Sequence, residues 1–108
     1  MDIGFSTKLL RSLSESETLA SRKLGPAAAA ALHTHLADIM AARNVAELPL
    51  GFVISGHAPS RFSLPLADGL VAVFESNHVQ DRERGSDFEV KWHRVSRIKF
   101  LEIGSVHD

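Results

Sequence analysis

"VSRIKFLEIGSVHD", residues Val95 to Asp108, closes the chain. Over most of its length, apolar and charged side chains alternate as in a strand. The chain therefore ends in a sheet, after a first half whose apolar spacing is helical. In regular alternation Arg97, Lys99, Leu101, Ile103, Ser105 and His107 share one face, and Ile98, Phe100, Glu102 and Val106 the other. His107 then falls on the side of Arg97 and Lys99, with roughly 27 Å of strand between Lys99 and His107.

Upstream of this strand, "GFVIS" (Gly51–Ser55), "RFSLPL" (Arg61–Leu66) and "GLVAVFES" (Gly69–Ser76) are also strand-like. Asp68-Gly69 between the last two is a hairpin turn signal. Pro65 marks an edge or an irregularity in its strand. "NHVQDRERGSD" (Asn77–Asp87) is a long polar loop, followed by "FEVKW".

Further upstream, "PAAAAALHTHLADIMAARN" is the strongest helix signal, rich in alanine. Ala29, Leu32, Leu36, Ile39 and Met40 form its core stripe. His33 and His35 stand two apart, so they point to different sides and read as solvent-facing polar residues. "STKLLRSLSESETLASRKLG" carries leucines at helical spacing, and its serine-rich middle, Ser12 to Ser16, is a place for it to break in two. Ser6 reads as its cap, and Gly25-Pro26 stops it and starts the next helix. "DIGF" (Asp2–Phe5) is a short first strand.

The expected fold is α+β: an N-terminal strand and two helices packed on one face of a mostly antiparallel sheet, in one domain over residues 1–108. Leu32, Leu36, Ile39 and Met40 are expected to meet Ile3, Val73, Phe74, Ile98, Phe100, Leu101 and Ile103 in the core.

The chain has 108 residues, 44% of them hydrophobic, as one globular domain needs. The absence of cysteine excludes disulfides and thiolate metal sites. No run approaches the ~20 apolar residues of a membrane helix, and Asp2 with its flanks does not read as a secretory signal. A cytoplasmic protein without membrane contact, metal or cofactor is expected. With a net charge of −1, nucleic acid could be held only by a local patch. "KWHRVSRIK" is the densest basic stretch, with Lys91, His93, Arg94, Arg97 and Lys99 and no acid between them. It reads either as a solvated strand face balancing the acids of "QDRERGSDFE" or as a phosphate-binding stripe. Trp92 reads as a core or rim anchor, or as a platform for a base.

Several words, in order, resemble a known family. "FSTKLLRSL", "KLGPAAAAALHTHLADIMAARNVAELP", "GLVAVFE" and "WHRVSRIKFLEIGSVHD" are similar, almost end to end, to HigB-type toxins of the RelE/ParE toxin–antitoxin superfamily. The resemblance implies a RelE/ParE-like fold and a toxin that cuts messenger RNA on the ribosome without a metal. It also implies a cognate helix-turn-helix antitoxin, HigA-like, bound in a hetero-oligomer. In that chemistry the RNA 2′-OH attacks the neighbouring phosphorus, so the site must take one proton, supply another and stabilise charge.

Matched by position, the family's strand tyrosine and arginine fall on Leu70 and Val71, and its terminal Asp-Tyr-His on Ser105, Val106 and His107. Its His-Pro-Leu-Lys-Gly stretch falls on Phe52 to Gly56, with His57 one residue beyond. The resemblance thus leaves His107 as the catalytic residue and keeps the family's last-strand basic residue as Lys99; with Arg97, Arg94 and Arg61 of this sequence, Lys99 is taken as RNA-binding. Two functions stay open: an mRNA endoribonuclease weakened by the missing groups, and a non-catalytic module on the same fold that binds an antitoxin and another target, such as gyrase.

Overall fold

A computed structural model of the chain describes residues 1–48, 53–54, 61–76 and 96–105. Strand β1 (Asp2–Phe5) leads into helix α1 (Lys8–Glu15), α2 (Glu17–Leu24) and α3 (Pro26–Ala41). A short 3₁₀ turn (Val45–Glu47) follows α3. The remaining strands are β2 (Val53–Ile54), β3 (Arg61–Pro65), β4 (Leu70–Ser76) and β5 (Arg97–Ser105). The sheet order is β1-β5-β4-β3-β2. β1 runs parallel to β5, and every other pairing is antiparallel. The α+β class and the mostly antiparallel sheet agree with the sequence reading.

The helices number three rather than two, because the serine-rich stretch does break. Ser16 ends α1 by sending its N–H to the Ser12 carbonyl at 2.9 Å, and its hydroxyl accepts the Leu19 N–H at 3.1 Å to start α2. The cap of α1 is Thr7, whose hydroxyl accepts the Leu10 N–H at 3.1 Å, and not Ser6. Gly25, at φ 92°, turns the chain into Pro26, the first residue of α3. Asp68 and Gly69, at φ 58° and 78°, make the β3–β4 turn with the left-handed backbone that an Asp-Gly pair tolerates.

One row of side chains ties four strands together. Phe62 stacks on Phe74 at 5.3 Å, Phe74 on Phe100 at 4.7 Å, and Phe100 meets Phe5 at 6.3 Å between ring centres. Each of these contacts joins register partners on adjacent strands. Leu10, Leu13, Ala20, Ala29, Leu32, Leu36 and Ile39 of the helices close over this row, together with Leu64, Ala72 and Ile98.

Four expectations are corrected. Met40 is not in the core but 71% exposed, since it sits next to Ile39 at the last turn of α3 and off the buried stripe. Val73 and Leu101 are half-buried and lie outside the core cluster, which takes Phe74, Ile98 and Phe100, with Ile3 and Ile103 at its margin. His33 and His35 point different ways, but neither is a free surface residue. His33 Nε2 meets the Leu13 carbonyl at 2.9 Å, and the buried His35 donates from Nε2 to the Pro65 carbonyl at 2.7 Å. Both acceptors are carbonyl oxygens, so the ring nitrogen must carry the proton.

The fourth correction concerns β5. Val73 pairs with Glu102 but the next residue, Phe74, pairs with Phe100, so Leu101 is an extra residue with no register partner on β4. Alternation therefore flips at Leu101. Ile98 and Phe100 face the helices before the bulge, and Ile103 packs on the same core after it. By register Ser105, opposite Leu70, follows Ile103 to the helix side, away from Arg97 and Lys99. Ser6 meets the bulge from β1: its hydroxyl donates to the Leu101 carbonyl, and its N–H continues the β1–β5 ladder by donating to the Phe100 carbonyl at 3.0 Å.

Phe74→Ala should lower the unfolding free energy by about 3–5 kcal/mol, the range for a buried phenylalanine. Ser6→Ala should cost about 1 kcal/mol, one net hydrogen bond. Urea unfolding of both variants checks this; an unchanged midpoint for Phe74→Ala is incompatible with the core described.

Candidate functional site

The face of the sheet away from the helices carries the charged groups. Arg61 pairs in register with Glu75, Glu75 with Lys99, and Lys99 with Gly4 of β1. This row lies one residue along from Phe62, Phe74, Phe100 and Phe5, so the two rows stand back to back across the sheet. Side chains directly opposite on paired strands have Cβ atoms about 5 Å apart, within reach of one phosphate group. Arg97, two residues before Lys99, belongs to the same face and lies beside Asp2 of β1.

Glu75 is the recessed member, 8% exposed. Arg61 Nε stands 3.8 Å from its Oε1, and the Arg61 side chain remains 45% exposed. Lys99 is half-buried and Arg97 exposed. Ser63, Val71 and Val73, half-buried, share the face by alternation and register with the row. The 3.8 Å separation and the exposed Arg61 side chain keep the contribution of this pair to stability small, since water screens the guanidinium. The arrangement offers two to three cations for phosphate oxygens and one carboxylate among them.

Of the residues read from the sequence as a site, the structure brings Arg61, Arg97 and Lys99 to one face. His107 and Arg94 lie outside the described residues, as do His57, Trp92, Lys91, His93, the Asn77–Asp87 loop and "FEVKW". The expected common face of His107, Arg97 and Lys99 rested on unbroken alternation, and the Leu101 bulge removes that argument. Sequence reasoning passed over Glu75. A signal was present: an acid inside "LVAVFES", where strands disfavour it, one residue from a core phenylalanine and so on the opposite face.

Two clefts lie elsewhere and share no lining residue with the row. One of about 290 Å³ is lined by Phe5, Ser6, Thr7, Lys8 and Arg11. Its Thr7 hydroxyl already caps α1, and Arg11 lies over the Phe5 ring at 5.6 Å. The other, about 350 Å³, runs beside β1, with Ile3, Phe5, Leu36 and Met40 among its walls. β1 is the last strand on that side of the sheet, so one edge of it is unpaired among the described residues. Among the described residues no three His, Asp or Glu side chains come together as metal ligands. No described helix is long and apolar enough to cross a membrane.

Compared with protein-family models, curated proteins and solved structures, the chain shows no significant match. Arg61→Met should leave the unfolding free energy within about 1 kcal/mol of the parent chain, because the Arg61–Glu75 pair is long and half-solvated. A loss of several kcal/mol in thermal or urea unfolding would mean that the row is a structural lock and not an open face.

Proposed function

We propose that the chain is the toxin of a type II toxin–antitoxin pair, HigB-like, that binds single-stranded RNA on the open sheet face and cuts it. One observation carries this reading: Arg61, Arg97 and Lys99, picked from the sequence as RNA-binding residues, share the face that the helices leave uncovered. Cations spaced along a sheet suit the repeating charge of an RNA backbone, and phosphate contacts supply most of such affinity. The HigB-like order of sequence words adds the reaction class, the ribosome as the place of action and the cytoplasm as the compartment.

In this reading the RNA 2′-OH attacks phosphorus and the 5′-oxygen leaves, while Arg61, Arg97 and Lys99 hold other phosphates of the same RNA strand. His107, the residue that matches the family's terminal histidine, handles one of the two protons. The cleft beside the free edge of β1 suits the antitoxin, since Ile3, Phe5, Leu36 and the exposed Met40 offer apolar anchors. The alternative, a module that binds without cutting, draws on Leu70 and Val71 standing where the family has tyrosine and arginine.

Inducing the chain with and without the neighbouring gene product, and mapping mRNA 5′ ends, separates the two. New 5′ ends that the neighbour suppresses support the nuclease; growth arrest without them supports the binding module. Arg97→Ala and Lys99→Ala should each weaken RNA binding and lower the slope of log affinity against log salt by about 0.7. His107→Ala should slow cleavage by at least about 10², the usual size of a general acid–base loss. Cleavage untouched by His107→Ala would remove that residue from the mechanism.

A further inference from the structure

Helix α1 carries its charges against its own dipole. Lys8 and Arg11 stand at its start and Glu15 at its end, with no acid in the first turn and no base in the last. A helix N-terminus is electropositive and its C-terminus electronegative, so all three side chains are unfavourably placed. Helix α2 follows the rule, with Glu17 in its first turn and Arg22 and Lys23 in its last. Lys8, Arg11 and Glu15 are exposed. Arg11 rests over the Phe5 ring, and among the described residues Lys8 and Glu15 have no ion-pair partner. Arg11 and Glu15 also line the cleft beside β1. The backbone of β1 is unmet on that same side. Its Asp2 and Ser6 N–H groups donate to the Ser96 and Phe100 carbonyls. Alternation therefore turns the N–H and C=O groups of Ile3 and Phe5 to the edge that is unpaired among the described residues. Ile3, Gly4 and Phe5 include no lysine, proline or other residue that guards an edge.

We propose that this edge is the interface between two copies of the chain, with β1 paired antiparallel to the β1 of the second copy about a two-fold axis at Gly4. In that register Ile3 of each strand exchanges hydrogen bonds with Phe5 of the other. The two Gly4 residues face each other as a non-hydrogen-bonded pair, about 4.5 Å apart at Cα, where a strand approaches its neighbour most closely. The two-fold also reverses α1 against its copy. The basic start of each helix lies toward the acidic end of the other, and Lys8 gains Glu15 of the second copy as its counter-charge. A two-fold contact requires such a pattern, because each copy must offer what the other accepts. An unlike partner needs only one sign, so the presence of both on one short helix favours a second copy. The two five-stranded sheets become one of ten strands. The charged row then runs on from Lys99 through both Gly4 residues to the second Lys99, about 14 Å away at three strand spacings. The inference does not use the nuclease reading. It adds that an antitoxin entering this cleft displaces the second copy.

Sedimentation velocity on the full chain over a range of concentrations measures the dimer. Lys8→Glu and Glu15→Lys each turn two attractions between copies into repulsions, while they align α1 with its own dipole. Each should weaken the dimer about tenfold, the size of two surface ion pairs. The monomer, melted at high dilution, should be at least as stable as the parent. Lys8→Glu with Glu15→Lys exchanges the two ends and should restore the parent affinity. The chain has no cysteine, so one introduced thiol reports the register. Gly4→Cys places two thiols within disulfide reach across the axis. In Asp2→Cys they stand about 14 Å apart along the strands. Mild oxidation should therefore link Gly4→Cys at least about tenfold faster than Asp2→Cys. A parent chain that is monomeric at every concentration overturns the proposal. So does a dimer that the single charge variants leave unchanged, a double variant that stays as weak as the singles, or equal cross-linking at the two positions.

Discussion

The row Phe62–Phe74–Phe100–Phe5 is the constraint on which the rest depends. Aromatic side chains bury large apolar areas and hold preferred ring geometries, so a row of them resists sliding. A one-residue slip of any strand would turn its phenylalanine to the other face. The row therefore fixes the register of β3, β4, β5 and β1 together. Because side chains alternate, the same register puts Arg61, Glu75, Lys99 and Gly4 side by side on the opposite face. Packing on one side of the sheet thus determines chemistry on the other. Gly4 ends the charged row without a side chain, which leaves Lys99 open on that flank.

The bulge at Leu101 limits how far this coupling extends. Up to Phe100, β5 shows basic residues outward and apolar residues inward. After it, Ile103 replaces them at the core and Glu102 takes the outer position. The phase change returns Ile103 to the core already reached by Ile98 and Phe100 within a strand of nine residues. At the bulge the Ser6 hydroxyl donates to the Leu101 carbonyl, while its N–H continues the parallel ladder to the Phe100 carbonyl. Capping of α1 then falls to Thr7, one residue later.

The two sides of the sheet divide the labour in the proposed toxin. The helix side supplies stability, with three helices over one aromatic row. The other side supplies the charged groups, with the Arg61–Glu75 pair at 3.8 Å half-solvated. The edge of β1 that is unpaired among the described residues lies beyond Gly4, beside a cleft whose walls mix Ile3, Phe5, Leu36 and Met40 with Asp2, Arg11, Ser14 and Glu15. In the proposed toxin the cleft and the charged face are separate surfaces that share β1.

Elements whose signals are local were legible in the sequence. Alternation identified β1, β3, β4 and β5, the serine cluster located the break between α1 and α2, and Gly25-Pro26 and Asp68-Gly69 marked turns that need special backbone angles. These signals act within a few residues, so no tertiary partner has to be known to read them. Arg61, Arg97 and Lys99 were likewise visible as basic residues on strands. Alternation already put Arg97 and Lys99 on one face, but whether Arg61 joined them was not visible, because that depends on pairing between β3 and β5 through β4. The burial of His35 and Glu75, the exposure of Met40 and the change of phase at Leu101 were decided only by the tertiary structure. Each depends on which residue stands opposite on a neighbouring element, and periodicity along one strand or helix carries no information about its partner.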